Sequence, residues 1–472
     1  NQTSGGWPLT MFLDENGVPF MGGTYFPKEE KHGLPSFKVL LKKINDTYNE
    51  QRDKIIAQSN LIKRSLEIKK SPVLKQDFNP IINSVFNNLD PDKGGYIGSP
   101  KFPIFNIYET LLYFYNKNKD QKYLKSVEIF IDKISAGGIY DHVEGGIARY
   151  TVDENWLVPH FEKMLYDNAQ FILLLSKFNK IKKSNYINKK ITQTLEFLDI
   201  NFKTSSGLFG SAYDADSEGI EGKYYTFSYN ELKNIKDIEK YYEIDPKGNW
   251  EGKIILKEKK LAPENITEEL KSIRSKRIKP FFDNKTQLDL NCILISAFVK
   301  AHEILPQNQY LKSAQNIYKA IENKFENFQI YHSNSKNISF LEDYAYLINA
   351  SLDLADASLE MKYRLSANQL MEDAIKKFYI KEKNIFQKNQ ILTNDIFCEP
   401  IDISDHTISN GNSIMLINFS RLGMLDEAKK LADSLNGYLN IYKNYMLSGV
   451  RAIDYFQNIS SGKKCNQEGC EI

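Results

Sequence analysis

The feature that most constrains this chain is a recurrence. From about residue 76 one helical pattern follows another, and the loops between them repeat a glycine-plus-aromatic signature. The apolar spacing predicts helices near 78–90, 105–118, 121–135, 160–180, 185–202, 229–236, 286–303, 308–326, 341–357, 362–377, 409–421 and 425–435. Gly94-Gly95-Tyr96, Gly137-Gly138-Ile139-Tyr140 and Gly207-Leu208-Phe209-Gly210 each follow such a stretch. A helical hairpin that recurs cannot bury its apolar face alone and must stack on its neighbours. Twelve helices in pairs predict a mainly α fold, an (α/α)6 toroid whose loops gather at one end of a central funnel. An open solenoid is the alternative, but its loops would not usually carry so many acidic and aromatic residues. Composition agrees with long helices, since Gly and Pro together fall below the ~12% of an average chain.

Residues 1–35 read differently. Leu9-Thr10-Met11-Phe12-Leu13, then Asp14-Glu15-Asn16-Gly17, then Val18-Pro19-Phe20-Met21 is a hairpin pattern, with Pro19 at a strand start. Residues 36–67 read as one long helix capped by Ser36. A hairpin plus a helix is marginal alone, so this segment is expected to be part of a larger α/β unit. Ser71-Pro72 marks the linker, giving a partial α/β domain over 1–70, the toroid over 71–460 and a tail over 461–472.

Charge and cysteine content exclude several classes. With 62 Lys+Arg against 60 Asp+Glu, the chain lacks the basic excess of a nucleic-acid binder. Four cysteines in 472 residues exclude a disulfide scaffold. Cys292 and Cys398 sit in apolar surroundings and read as inert; Cys465 and Cys470 lie in a charged tail where they could pair. No run of about 18 apolar residues marks a membrane helix, and a cytoplasmic location is expected. The chain starts at Asn1 rather than Met, and a missing natural N-terminus is expected. No metal or other cofactor is expected.

The densest chemistry lies in residues 137–168, with Tyr140, Asp141, His142, Glu144, Arg149, Asp153, Trp156, His160, Glu162 and Asp167. Pro159 suits a first helical turn. On the helix expected from 160, His160, Lys163, Met164 and Asp167 share a face, and a His at a helix N-terminus is held neutral enough to act as a base near pH 7. The same residues would equally serve a structural network that fixes the loop. Ser211-Ala212-Tyr213-Asp214-Ala215-Asp216-Ser217-Glu218-Gly219 imitates a calcium loop, but Tyr225 stands where an EF-hand needs its last acid. Asp214 and Asp216 could flank a sugar as acid and base or merely satisfy loop amides. Weaker signals are Glu342-Asp343 at a helix start, His406, and Asn412 within Asn410-Gly411-Asn412-Ser413.

These stretches carry a family resemblance. GGWPLTMFLDENGVPFMGGTYFP (5–27), GGYIGSPKFP (94–103), the whole of 137–169, SAYDADSEG (211–219), LEDYA (341–345) and GNS (411–413) resemble the spermatogenesis-associated protein 20 family, described as thioredoxin-domain-containing. The resemblance implies a thioredoxin-like domain followed by an (α/α)6 toroid similar to six-hairpin glycosidases and N-acylglucosamine 2-epimerases. It places Trp7-Pro8 at a cis-proline segment and the family's Cys-x-x-Cys upstream of Asn1. The family pattern is departed from at Leu290-Asn291-Cys292, where Trp-Asn-Gly is usual, and at Ala148, where His is common.

The functional expectation is a toroid that binds or processes a small carbohydrate, epimerase- or glycosidase-like. His160, Glu162, Asp214, Asp216 and Glu342 are the catalytic candidates. Tyr140, Asp141, His142, Arg149, Trp156, Tyr213, Asn291, His406 and Asn412 are the substrate-binding candidates, with Tyr140, Trp156 and Tyr213 as stacking surfaces. The alternatives are a thiol-disulfide redox protein with the toroid as its partner-binding module, and a non-catalytic scaffold. No nucleic-acid or membrane partner is expected.

Overall fold

The computed structural model describes residues 8–31, 33–65, 71–72, 77–305, 308–323, 329–390, 401–463, 465–466 and 469–470. The N-terminal hairpin pairs β1 (Thr10–Leu13) with β2 (Pro19–Gly23), Thr10 opposite Gly23 and Leu13 opposite Pro19. Gly17 takes the left-handed turn position at φ 74°, and the Asp14 carboxylate accepts from the Asn16 and Val18 amides. The single helix expected over 36–67 is instead two, α1 (Phe37–Glu50) and α2 (Arg52–Ser65), broken at Gln51. The break folds α2 back, so that Ser59 Oγ reaches Asp14 at 2.9 Å while Arg52 and Tyr48 share Glu15. A straight rod would carry Ser59 roughly 12 Å further away at 1.5 Å per residue.

Fourteen further helices follow: α3 (Asn79–Phe86), α4 (Phe105–Asn118), α5 (Gln121–Ala136), α6 (Leu165–Ile181), α7 (Asn185–Asn201), α8 (Tyr229–Leu232), α9 (Glu264–Arg274), α10 (Leu288–Ile304), α11 (Asn308–Glu322), α12 (Leu341–Ser358), α13 (Met361–Phe378), α14 (Gly411–Leu422), α15 (Leu425–Tyr442) and α16 (Leu447–Ser460). Helices α4, α6, α10, α12, α14 and α16 each pack on the next, and α16 packs back on α4, which closes a ring. Helices α5, α7, α11, α13 and α15 lean against the outside of α4, α6, α10, α12 and α14, and α3 sits beside the turn at Lys443–Tyr445. Twelve helices in two concentric layers are an (α/α)6 toroid.

The two layers differ for a physical reason. An inner helix is enclosed on all sides, so α6 buries Asp167, Asn168, Gln170, Ser176 and Asn179 as well as its apolar residues. Helix α16 was not expected from spacing; it buries Ser448, Asp454 and Asn458 as well as its apolar residues. The stretch 229–236 is only the single turn α8. With α9 it builds a lobe between α7 and α10 around Phe227, Leu232, Ile238, Tyr242, Ile254 and Leu270.

Inner-to-outer connections are short, as at Lys119–Asp120 between α4 and α5. Outer-to-inner connections are long and fold as hairpins: Leu89 opposite Tyr96, Tyr140 opposite Ile147, Lys203 opposite Phe209, Tyr331 opposite Ile338, and Tyr379–Ile380 against Ile385–Phe386. All therefore end where the inner helices begin, which puts the loops on one face. Across that face runs the segment 401–410. Its Asp405 accepts from Asn106 of α4 and the Ser448 amide of α16, its Thr407 carbonyl from Gln170 of α6, and its Ser409 carbonyl from Tyr346 of α12.

Candidate active site at the loop end of the helical ring

The helix expected from 160 begins only at Leu165. Pro159–His160 pairs as a strand with Tyr150–Thr151, and Lys163–Met164 with Ala212–Tyr213. His160 is therefore not at a helix N-terminus, and no dipole acts on it there. Its ring stacks on Tyr150 at 5.0 Å, with Phe102 stacked on the other side of Tyr150 at 4.6 Å. His160 Nδ1 lies 2.8 Å from Glu221, and Nε2 lies 3.5 Å from Glu162, which in turn accepts from Arg149 Nη1 at 3.1 Å. His160, Glu162, Arg149 and Glu221 thus form one partly open rim, with Asp167 of α6 behind it.

Several residues expected to meet substrate hold the framework instead. Tyr140 and Trp156 are fully buried and present no stacking face; Tyr140 lies under the Lys190 ammonium, and Trp156 Nε1 donates to the Lys93 carbonyl. Asp141 is the centre of a buried ion cluster, accepting from Lys163 at 2.7 Å and from Arg274 Nη1 at both oxygens. Burial alone would raise its pKa, but Arg274 and Lys163 outweigh burial and hold the carboxyl well below the usual range. His142 is pushed down to about 4 by burial and by Lys190, and its Nε2–H donates to the Gly137 carbonyl. Tyr213 stacks on Phe282 at 4.8 Å and donates to the Asn201 carbonyl. Asp214 and Asp216 are exposed, with Asp214 accepting from the next amide. His406 is 69% exposed, with Nε2 3.6 Å from Asp402.

Asn291 and Asn412 belong to a repeated device. Asn291 Oδ1 accepts from the Phe209 amide, while its Nδ2 donates to the Phe209 and Gln287 carbonyls. Asn412 grips Phe386 in the same way and also donates to Asp402. Asn168 of α6 does this to Ile147 and Met164. In each case a buried inner-helix Asn satisfies both backbone groups of the second strand of the preceding hairpin. These residues clasp the loops to the ring and have no hydrogen-bonding capacity left over for a ligand beyond one lone pair.

The chemically most loaded group was only partly visible in sequence. Asp289 in the first turn of α10, His332 from the loop after α11 and Asp343 in the first turn of α12 bring donor atoms within 4.8 Å of one another. Three such groups could share a small cation if His332 Nδ1 gave up its 3.0 Å bond to Asp343. Ser211 Oγ has one proton, and the Lys285 carbonyl takes it at 2.6 Å. Gln287, which also meets Ser211 Oγ at 2.9 Å and His332 Nε2 at 3.2 Å, therefore faces the serine with its NH2 and the imidazole with its oxygen, the two amide ends being interchangeable by a half-turn. His332 then donates from both nitrogens as an imidazolium. Burial works against that charge, but the Asp343 bond and the Asp289 charge raise its pKa. Burial and the Asp343 charge push Asp289 up to about 7. Alongside lies Glu342, raised by burial against the pull of Lys388, with Oε2 buried and unpartnered; Lys388 binds Asp402 at 3.0 Å. Asp343 was seen as half of a Glu-Asp pair. His332, one of only six His, was the available signal for the rest.

Cys292 is fully buried, and burial raises its thiol pKa well above the ordinary value. Cys398 lies outside the described residues. The backbone of Cys465 pairs opposite that of Cys470. Among the described residues no helix is long and apolar enough to cross a membrane.

A closed ring of six helix pairs with a rim of acids and histidines at its loop end defines the class: an (α/α)6 toroid preceded by a hairpin-and-helix segment. Over most of its length the chain is similar to spermatogenesis-associated protein 20, with 26% identity to the human protein over 80% of this chain and 58% of that one. It is also 25% identical to the uncharacterized protein B0495.5 of Caenorhabditis elegans, over 92% of this chain and 68% of that one. Residues 1–67 match the Thioredox_DsbH family, described as a protein of unknown function, DUF255. Among solved structures the chain is similar to cellobiose 2-epimerase from Bacillus thermoamylovorans B4167, with a TM-score of 0.49 and 13% identity over 78% of this chain and 86% of that one. A D-mannose isomerase gives a TM-score of 0.49 and 13% identity over 79% and 88%.

Proposed function

We propose that the loop end of the ring is the active site of a carbohydrate-processing protein in which Asp289 moves a proton on a sugar. The observation that carries this reading is the Asp289–His332–Asp343 unit. A carboxyl held near 7 exchanges protons readily at neutral pH, where an ordinary aspartate is fully ionised. The His332 imidazolium, tied to Asp343 and Gln287, supplies a fixed positive charge beside it, suited to an oxyanion that develops as a proton leaves the adjacent carbon or hydroxyl. Carboxylates, amides and a rim of stacked aromatic rings are the groups that recognise a neutral polyol, and the near-zero net charge gives no attraction to nucleic acid.

The test is proton exchange in D2O followed by 1H NMR, with cellobiose, D-mannose and N-acetyl-D-mannosamine as substrates. Wild-type protein is expected to wash deuterium into the carbon beside the carbonyl or to generate new anomeric signals. Asp289→Asn should slow this by roughly 10²-fold or more, with His332→Gln close behind. Full activity in Asp289→Asn, or no exchange with any of the sugars, sinks the reading.

A further inference from the structure

At the rim, two polar atoms that should be paired are not. Asp167, in the first turn of α6, is 6% exposed, and its Oδ2 is buried without a hydrogen-bond partner. Arg149 Nε is also buried and unpartnered, although its Nη1 holds Glu162 at 3.1 Å. Burial raises the Asp167 carboxyl well above the usual carboxylate range, against the pull of the Arg149 charge, and Glu162 adds to the rise. A buried donor and a buried acceptor both left open are uncommon in a native interior, where buried polar groups find partners. The two open atoms are themselves covered, but the side chains around them reach solvent: that of Arg149 is 39% exposed and those of Glu162 and His160 are 28% exposed. Beside it stands the Phe102–Tyr150–His160 stack, whose outer member Phe102 is 42% exposed.

We propose that Arg149 and Asp167 form a subsite for a hydroxyl group of a neutral sugar or polyol. The ligand oxygen accepts from Arg149 Nε–H and gives its own proton to Asp167 Oδ2, while the carbon skeleton lies against the exposed end of the aromatic stack. Only a group that both donates and accepts meets the two atoms at once. A carboxylate or phosphate would face the Glu162 carboxylate, and an ammonium would face Arg149. The inference builds on the carbohydrate reading of the same face and assigns its binding half. Asp167 is thereby a substrate-binding residue, distinct from the proton-transfer unit on α10 and α12.

Calorimetric titration of wild type, Asp167→Leu, Asp167→Asn and Arg149→Met with D-mannose, cellobiose and myo-inositol tests it, with thermal unfolding measured in parallel. Wild type is expected to bind at least one of the three. Asp167→Leu and Arg149→Met should each weaken that binding at least tenfold, while the Tm of Asp167→Leu stays level or rises, because an unpaired buried carboxyl has been removed. Asp167→Asn serves the same comparison if the leucine variant does not fold. Myo-inositol has no carbonyl carbon to epimerise. Asp167-dependent inositol binding with no sugar turnover would keep the subsite and remove the processing reading. Unchanged affinity in the Asp167 variants with turnover intact would do the reverse, leaving a water molecule as the occupant. A fall in Tm with affinity unchanged, or no binding of any probe by wild type, overturns the subsite.

Discussion

Asn168, Asn291 and Asn412 show how a residue can be legible and its role not. Asn412 stands out in sequence within a turn-like stretch and Asn291 within Leu290-Asn291-Cys292, and both were expected to touch substrate. What each touches is an amide and a carbonyl of a loop strand that lies 21 to 82 residues away. Asn291→Ala leaves the Phe209 N–H and C=O buried without partners, at ~1–3 kcal/mol each. It is therefore expected to lower the unfolding free energy by about 2–6 kcal/mol in a denaturant titration, with Asn412→Ala similar. The Asp289–His332–Asp343 unit was hidden for the same reason. Its members are 11 to 54 residues apart in the chain, and neither spacing nor periodicity reports a meeting of that kind. The same raised carboxyl makes a pH prediction. Asp289 titrates near 7 in the fold and near 3.9 when unfolded, so the folded state holds the extra proton between those values. Its contribution favours folding below about pH 4 and is lost as pH rises through 7. Relative to wild type, Asp289→Asn should gain stability from pH 4 to 7 and run parallel above that.

At the scale of elements, helices on the outside of the ring were read well, because one wet face and one buried face leave a clear 3.6-residue stripe. Inner helices α4, α10, α12 and α14 also lie within two residues of their expected bounds, but α16 was missed altogether. The start of α6 was misplaced by five residues because two short strand pairings, Tyr150–Thr151 with Pro159–His160 and Lys163–Met164 with Ala212–Tyr213, hold the chain extended to Met164. The Gly145-Gly146 turn that precedes them packs without tolerance. Gly146 has φ 81°, and a Cβ there would sit 2.7 Å from the Phe197 ring and 2.8 Å from the clasping Asn168 Oδ1. Gly33 has a similar φ of 75° with nothing within 4 Å. Gly33→Ala is therefore expected to cost only the backbone term, ~1 kcal/mol, and Gly146→Ala distinctly more than the ~1–3 kcal/mol of a strained left-handed residue. Thermal scans of the two variants side by side check this.

Over the whole molecule, the ring and the 211–287 lobe are joined by ions as well as by apolar packing. Asp141 comes from the loop after α5, Lys163 from the strand before α6 and Arg274 from the end of α9, and the side chains of all three are at most 6% exposed. Removing the shared carboxylate by Asp141→Asn strands two buried cations, which typically costs ~3–5 kcal/mol. Limited proteolysis should then cut first within 211–287 while the ring helices stay protected. Equal protection of the lobe in variant and wild type would show that apolar packing alone holds it.

Read alone, the chain settles the hairpin at its start, the succession of helix pairs, their closure into a toroid as the favoured arrangement, and a near-zero net charge. Those properties follow from apolar spacing over a few turns and from summed charge, both of which are local or additive. Which acids and histidines share a space, which asparagines are spent on clasping loops, and which aromatic rings are sealed inside were decided only when the ring closed. Closure brings the first turns of α6, α10 and α12 to one face. It does so by long-range packing that no short stretch of the chain encodes.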